Sequence, residues 1–230
     1  MKSIILAIIC VITVTSCATK NDTMNQLVIF NLKPEMAKEF KEAAIKSLHL
    51  SLKEEGNLDM KLFVDVNDEN ILYVYSRWKN QKVYTWHSDQ TYTKDLQKLA
   101  AISLAATPKV FKLGETKPLP AYDTQHKNVE NEKEILFFIF KFKEGYKEKI
   151  IEQFENHILN TRKEYGNLLF DLYTIEGVNN ELVVYEEWKS KSDIFDIHFK
   201  QPYAVKTGEL MNEAVIGDLE QYMHFVKEIK

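Results

Sequence analysis

Trp188-Lys189-Ser190-Lys191-Ser192-Asp193-Ile194-Phe195-Asp196-Ile197-His198-Phe199-Lys200-Gln201-Pro202-Tyr203 decides how the chain is read, because its outline occurs once before. Upstream stand Trp78-Lys79, a spacer one residue shorter, and then His87, Gln90 and Tyr92 at the matching intervals. A strand pattern precedes each Trp, and before it lies Gly56-Asn57-Leu58 or Gly166-Asn167-Leu168. The offset is constant, 166 − 56 = 188 − 78 = 110, and without gaps 56–85 and 166–195 agree at 10 of 30 positions. Repetition over a whole structural unit makes the chain a tandem of two related domains.

Outward from the repeat, each copy reads in the same order. In the first, Leu27 to Lys33 is a strand, and Pro34 suits the first turn of a helix. Met36, Phe40, Ala44, Leu48 and Leu52 form one apolar helical stripe, which Gly56-Asn57 closes. Met60, Leu62, Val64 and Val66 alternate with Lys61, Phe63 and Asp65 as a strand, Asn67 to Asn70 is a turn, and Ile71 to Trp78 returns antiparallel. A short helix, a second helix through Ala106 and a strand over Val110 to Leu113 complete the copy. The second copy continues with a strand over Ile135 to Phe142, a turn at Gly145, and a stripe of Tyr146, Ile150, Phe154 and Ile158. Leu169 to Ile175 and Glu181 to Trp188 make its hairpin around Gly177 to Asn180; Tyr203 to Ala214 is helical and Leu219 to Ile229 is the last strand. Each copy is therefore βαββαβ, the ferredoxin-like order. One sheet face carries helices; the other, with Ile71, Tyr73 and Tyr75 or Val183 and Tyr185, is apolar and needs a partner. The other copy is the obvious one.

The expected division is 1–16 signal peptide, 17–24 tether, 25–116 first domain, 117–132 linker and 133–230 second domain. Lys2 is followed by the apolar run Ile4 to Val14, which is too short to span a bilayer. Val14-Thr15-Ser16-Cys17 resembles a bacterial lipobox, which implies cleavage before Cys17, acylation of its thiol and a lipid-anchored place in the cell envelope, facing the periplasm or on the outer membrane. The alternative is an ordinary signal peptide in which Cys17 has no special role. Cys10 is lost with residues 1–16, and losing Lys2 takes the net charge from −4 to −5. After Cys17 there is no cysteine, which excludes disulfides, Cys-ligated metal and thiol nucleophiles from the mature domains. Acidic balance with interleaved lysines argues against nucleic acid as a partner.

The strand ending in Trp, the short helix, the His-containing segment and the Gly-Asn-Leu that opens the hairpin resemble the antibiotic biosynthesis monooxygenase family. The resemblance covers nearly all of 25–113 and 133–230, and is fuller in the second copy, with Glu186, Trp188, His198 and Pro202-Tyr203. In the first copy Ser76 and Thr91 depart from the pattern. The resemblance implies a dimeric α+β barrel of two ferredoxin-like units packed sheet to sheet, here inside one chain, so that a monomer carries an internal pseudo-dimer. It implies a choice among cofactor-free oxygenases of quinols and polycyclic phenols, a quorum-signal isomerase and haem-degrading enzymes. The favoured expectation is a cofactor-independent monooxygenase on a quinol or related aromatic, in a pocket between sheet and helices. The competing expectation is a non-catalytic binding module for a small apolar ligand.

Several residues are candidates under either expectation. Trp78 and Trp188 are core aromatics between sheet and helices or the wall against which a flat ligand stacks. His87 and His198 are the candidate bases, since oxygenation without a metal needs a group to take a phenolic proton, and imidazole titrates near about 6.5. Tyr92 and Tyr203 bond a substrate oxygen or pack. Asn57 and Asn167 are explained by turn chemistry, or line a pocket mouth. His49, His126, His157 and His224 are scattered, so no metal and no other cofactor is expected. Haem is a lesser option, because Val28 and Phe138 stand where haem-degrading relatives carry a first-strand Asn. Of the two copies the second is expected to hold the working pocket: Pro202 restrains Gln201, whereas Thr91 does not, and Trp86 is expected to fill the first.

Overall fold

Eight apolar segments, some alternating and some continuous like Ile135 to Phe140, give eight strands in the structure, a computed structural model that describes residues 23–121 and 133–230. The expected signal peptide, Cys17, most of the tether and most of the linker lie outside the described residues. The first copy comprises β1 (Met24–Asn31), α1 (Ala37–Ser51), β2 (Asn57–Asp65), β3 (Ile71–Trp78), α2 (Gln81–Ser88), α3 (Thr91–Ser103) and β4 (Lys109–Glu115). The second comprises β5 (Glu134–Lys141), α4 (Lys147–Thr161), β6 (Asn167–Ile175), β7 (Val178–Trp188), α5 (Pro202–Ala214) and β8 (Met223–Ile229).

The strands close into one barrel in the order β1-β3-β2-β8-β5-β7-β6-β4. Within each copy the order is the ferredoxin-like one; between copies, the last strand of each pairs with the second strand of the other. Leu113, Gly114 and Glu115 of β4 meet Ile175, Thr174 and Tyr173 of β6, and β8 runs beside β2 from Val226↔Asp65 to Ile229↔Leu62. Gly114 lets this seam close tightly, since a Cβ there would lie 2.4 Å from Thr174 Oγ1 and force that hydroxyl to turn away. The apolar faces do meet, and the closure removes every open edge as well.

Three cores result. Inside the barrel both copies contribute, with Leu27, Phe63, Tyr73 and Tyr75 against Phe137, Tyr173, Val183 and Tyr185. Outside it, α1 and α3 cover Leu62 and Leu72, while α4 and α5 cover Phe138, Phe170, Val184 and Trp188. One barrel end is polar and stitches the copies together: Lys61 Nζ lies 2.8 Å from Glu187 Oε1, and Lys133 Nζ 2.9 Å from Glu187 Oε2. Burial alone would raise the Glu187 carboxyl, but Lys61 and Lys133 outweigh it and hold it at about 2.

Some boundaries differ from expectation for visible reasons. β1 begins at Met24, because buried Asn25 finds partners in Arg77 and Glu115. α1 stops at Ser51, so Leu52 is exposed and Gly56, at φ +88°, turns the chain into β2 instead of capping the helix. α3 ends at Ser103, and 219–222 form a 3-10 turn before β8.

Candidate functional site

The extra residue in the second spacer changes local structure. Eight residues lie between Trp78 and His87, and 81–88 are a regular helix; nine lie between Trp188 and His198, and Asp193–Ile197 wind as a π-helix leading into a 3-10 turn over His198–Lys200. Such π segments absorb one residue while leaving the downstream helix in place, and they recur at functional sites. Gly166 lets Asp193 of this segment pack against the hairpin, where a side chain would collide.

What the repeat shares is a clamp. His198 Nδ1 lies 2.7 Å from Glu164 Oε1, and the Tyr203 hydroxyl donates to the same oxygen. In the first copy His87 Nδ1 lies 2.9 Å from Glu54 Oε2, and Tyr92 donates to Glu54 Oε1. The shared carboxylate ties the end of the first helix to the start of the last in both copies. Burial raises Glu164 and lowers His87, and holds His198 at about 4. Both histidines are neutral at pH 7, with Nδ1–H donating and Nε2 left as an acceptor. Glu54 and Glu164 escaped the sequence reading, although each stands two residues before the repeated Gly in the same register of 110.

The second copy also holds a cavity of about 280 Å³ between the sheet and α4/α5. Its walls include Leu136, Phe138, Phe154, Phe170, Val184 and Met223, and its polar side chains are His157, Glu186, His198 and Thr207. His157 projects from α4, seven residues after Ile150 and so on the buried stripe, which is the signal that marks it. Its ring is oriented completely. Thr207 donates its hydroxyl to Tyr203 O (2.9 Å) and accepts from Gln153 (3.0 Å), so at 2.8 Å it accepts from His157 Nδ1–H. His157 Nε2 is then a buried acceptor with no partner among the described residues, and burial holds the ring near 3. Glu186 projects from β7; its Oε2 accepts from the Trp188 indole at 2.6 Å, and burial pushes the carboxyl up to about 7.

Against this geometry the predicted residues divide. His198 lines the cavity. Trp188 is fully buried behind Glu186 and is not part of the wall, and Tyr203 serves the clamp. Asn167 does not line the cavity: its amide bonds Leu169 O at 3.0 Å across the bulge that opens β6. In the first copy the Trp78 and His87 rings lie 4.3 Å apart, tilted by 31°, Tyr92 holds Glu54, and Asn57 occupies the matching bulge. The matched positions for His157, Glu186, Thr207 and Gly208 are Ser47, Ser76, Leu96 and Gln97, so of the cavity's ionisable groups the first copy keeps only the match to His198, His87. Trp86, expected to fill space there, is 54% exposed. Nor does Pro202 impose a distinct backbone: Gln90 (φ −65°, ψ 146°) and Gln201 (φ −69°, ψ 141°) are alike, because each starts a helix. No cluster of three metal-capable side chains occurs among the described residues.

Solved structures with this architecture are a proposed monooxygenase from Fusobacterium nucleatum (TM-score 0.76, 15% identity, 90% of this chain and 93% of that one) and another from Lactobacillus acidophilus (0.71, 17%, 90% and 94%). An anthrone oxidase-like protein also superposes (0.62, 12%, 92% and 93%). At such identities they show the fold. A search of curated proteins finds no match. The family model described as antibiotic biosynthesis monooxygenase matches twice, over 25–99 and 135–209, and so the chain belongs to that family, as a tandem of two such domains.

Proposed function

We propose that the chain is a cofactor-independent monooxygenase acting on a quinol or related aromatic in the second-copy cavity. The observation that carries this reading is the cavity itself: an apolar slot of about 280 Å³ whose polar groups include two neutral imidazoles and one carboxyl. That volume is at the small end for ligand sites and suits one or two rings. Family membership supports monooxygenase chemistry.

In the reaction, a quinol and O₂ give a hydroxyquinone and water. The quinol supplies all four electrons; one oxygen atom replaces a ring hydrogen and the other leaves as water. The chain's part is to hold the ring flat, exclude bulk water and take the hydroxyl proton, since the oxyanion gives an electron to O₂ more readily than the neutral phenol. The test is oxygen uptake by the purified protein with a menaquinol or naphthol analogue. Uptake above the uncatalysed rate supports an oxygenase; bound ligand with no extra uptake leaves a binding module.

The same protein is proposed to be acylated at Cys17. The sequence of Val14 to Cys17 supports this, and with Thr23 six residues beyond Cys17 the barrel would sit at most about 20 Å from the bilayer. Cys17→Ser should move it out of the membrane fraction; a variant that stays there through detergent partition refutes the anchor.

A further inference from the structure

Glu186 is an expensive residue to keep where it is. Its carboxyl is buried on β7 among Leu136, Phe138, Phe170 and Val184, and its one hydrogen bond among the described residues comes from the Trp188 indole. A carboxylate in such surroundings loses far more hydration than one indole N–H restores. The chain contains its own control. In the first copy Ser76 holds the matching place, Trp78 is as deeply buried as Trp188, and the Trp78 Nε1–H has no partner among the described residues. The barrel therefore folds around this Trp without a carboxylate, and satisfying the indole does not explain Glu186.

The cavity that Glu186 lines lacks a donor that would hold a ligand oxyanion. His157 Nδ1–H is committed to Thr207, His198 Nδ1–H lies against Glu164, and the Thr207 hydroxyl is spent on Tyr203 O. Both imidazoles offer only Nε2 lone pairs, and Glu186 Oε1 has no hydrogen-bond partner among the described residues.

We propose that Glu186 Oε1 takes the proton of the hydroxyl that a ligand brings into this cavity. The ligand O–H bond breaks, an Oε1–H bond forms, and the electron pair stays on the ligand oxygen. One negative charge is present before and after, moved from carboxylate to ligand. With His157 or His198 as the base, a neutral pair would become an ion pair inside an apolar slot, which is the costlier course. The carboxyl titrates near 7, the range in which a base is both available and strong enough. Facing it are the Glu164 carboxyl, which raises it, the Trp188 indole, which lowers it, and the two neutral imidazoles across the cavity. Once protonated, Glu186 is the donor the cavity otherwise lacks. This step rests on reading the second-copy cavity as the ligand site, and is independent of oxygen chemistry.

The experiment is anaerobic binding of 1-naphthol and 1-methoxynaphthalene to the full protein, its Glu186→Gln variant and its Glu186→Ser variant, which installs the first copy's residue. Wild type should bind naphthol about tenfold or more tightly than its ether, since the ether leaves the acceptor unpaired, and bound naphthol should show the red-shifted absorption of naphtholate. In both variants the naphtholate band should vanish, and in Glu186→Ser the preference should fall to within about twofold. A wild type that binds naphthol without the band or the preference overturns the proposal. So does a Glu186→Ser protein that keeps either, or a wild type that binds neither compound. Oxygen uptake unaffected by Glu186→Gln would overturn this proposal and leave the oxygenase standing. A Glu186-dependent band and preference with no oxygen uptake would do the reverse.

Discussion

Replacing Glu186 by Gln should make the protein more stable, and only at high pH. The folded chain holds this carboxyl at about 7, against 4.5 for a solvated one, because burial disfavours its charge. The raised group favours the folded state while protonated, so stability is full below 4.5, falls as pH rises from 4.5 through 7, and is flat above. At about 1.4 kcal/mol for each pH unit of separation, the interval 7 − 4.5 amounts to about 3 kcal/mol at pH 8. Gln keeps an oxygen for the Trp188 indole and carries no charge, so it removes that penalty. Urea unfolding at pH 8 should show Glu186→Gln more stable by about 3 kcal/mol, or roughly 6–12 °C in thermal melts for a chain of this size. At pH 4 the two proteins should unfold alike. Equal effects at pH 4 and pH 8, or a loss at pH 8, would show that the carboxyl is not strained by burial, and the case for a functional Glu186 would weaken with it.

Glu187, one residue on and facing the barrel, should behave in the opposite sense. Held at about 2 by Lys61 and Lys133, it contributes stability above 4.5 that is lost as pH falls towards 2. Glu187→Gln should therefore cost about 3 kcal/mol at pH 7 and little at pH 2 in urea titrations, and a pH-independent cost would contradict the paired-charge account. Residues 133–230 expressed alone would expose the β6 and β8 edges and the Phe137, Tyr173 and Tyr185 face, so light scattering should find dimers or aggregates, not a stable monomer. His198→Ala should reduce ligand affinity or turnover more than His87→Ala, measured on variants that melt like wild type; a loss confined to His87→Ala would place the site in the first copy.

The repeat made the two ferredoxin-like units legible, since Gly-Asn-Leu, the strand alternation and the Trp kept one register through both copies. The seams were not legible. β4 reads Lys109-Val-Phe-Lys-Leu-Gly-Glu115, ordinary amphipathic alternation that fits any sheet edge, and only the curvature of the closed sheet selects β6 as its neighbour. The site was half legible for a different reason. Residues common to both copies, His and Tyr above all, meet in the Glu54 and Glu164 clamps that both copies carry. The cavity's distinctive groups, His157 and Glu186, are those the copies do not share. Likeness between repeats pointed to framework, and difference between them pointed to the cavity.

Carrying both halves of the barrel on one polypeptide has an evolutionary consequence. In an assembly of two identical subunits every substitution is made twice, so a destabilising acid cannot be placed in one half and spared the other. Fusion lifts that constraint. Ser76 and Glu186, or Ser47 and His157, can diverge, one lobe becoming the steady foundation while the other tolerates a hollow and a misplaced charge. The lobe without the cavity can then serve as a reservoir of stability while the lobe that holds it continues to change.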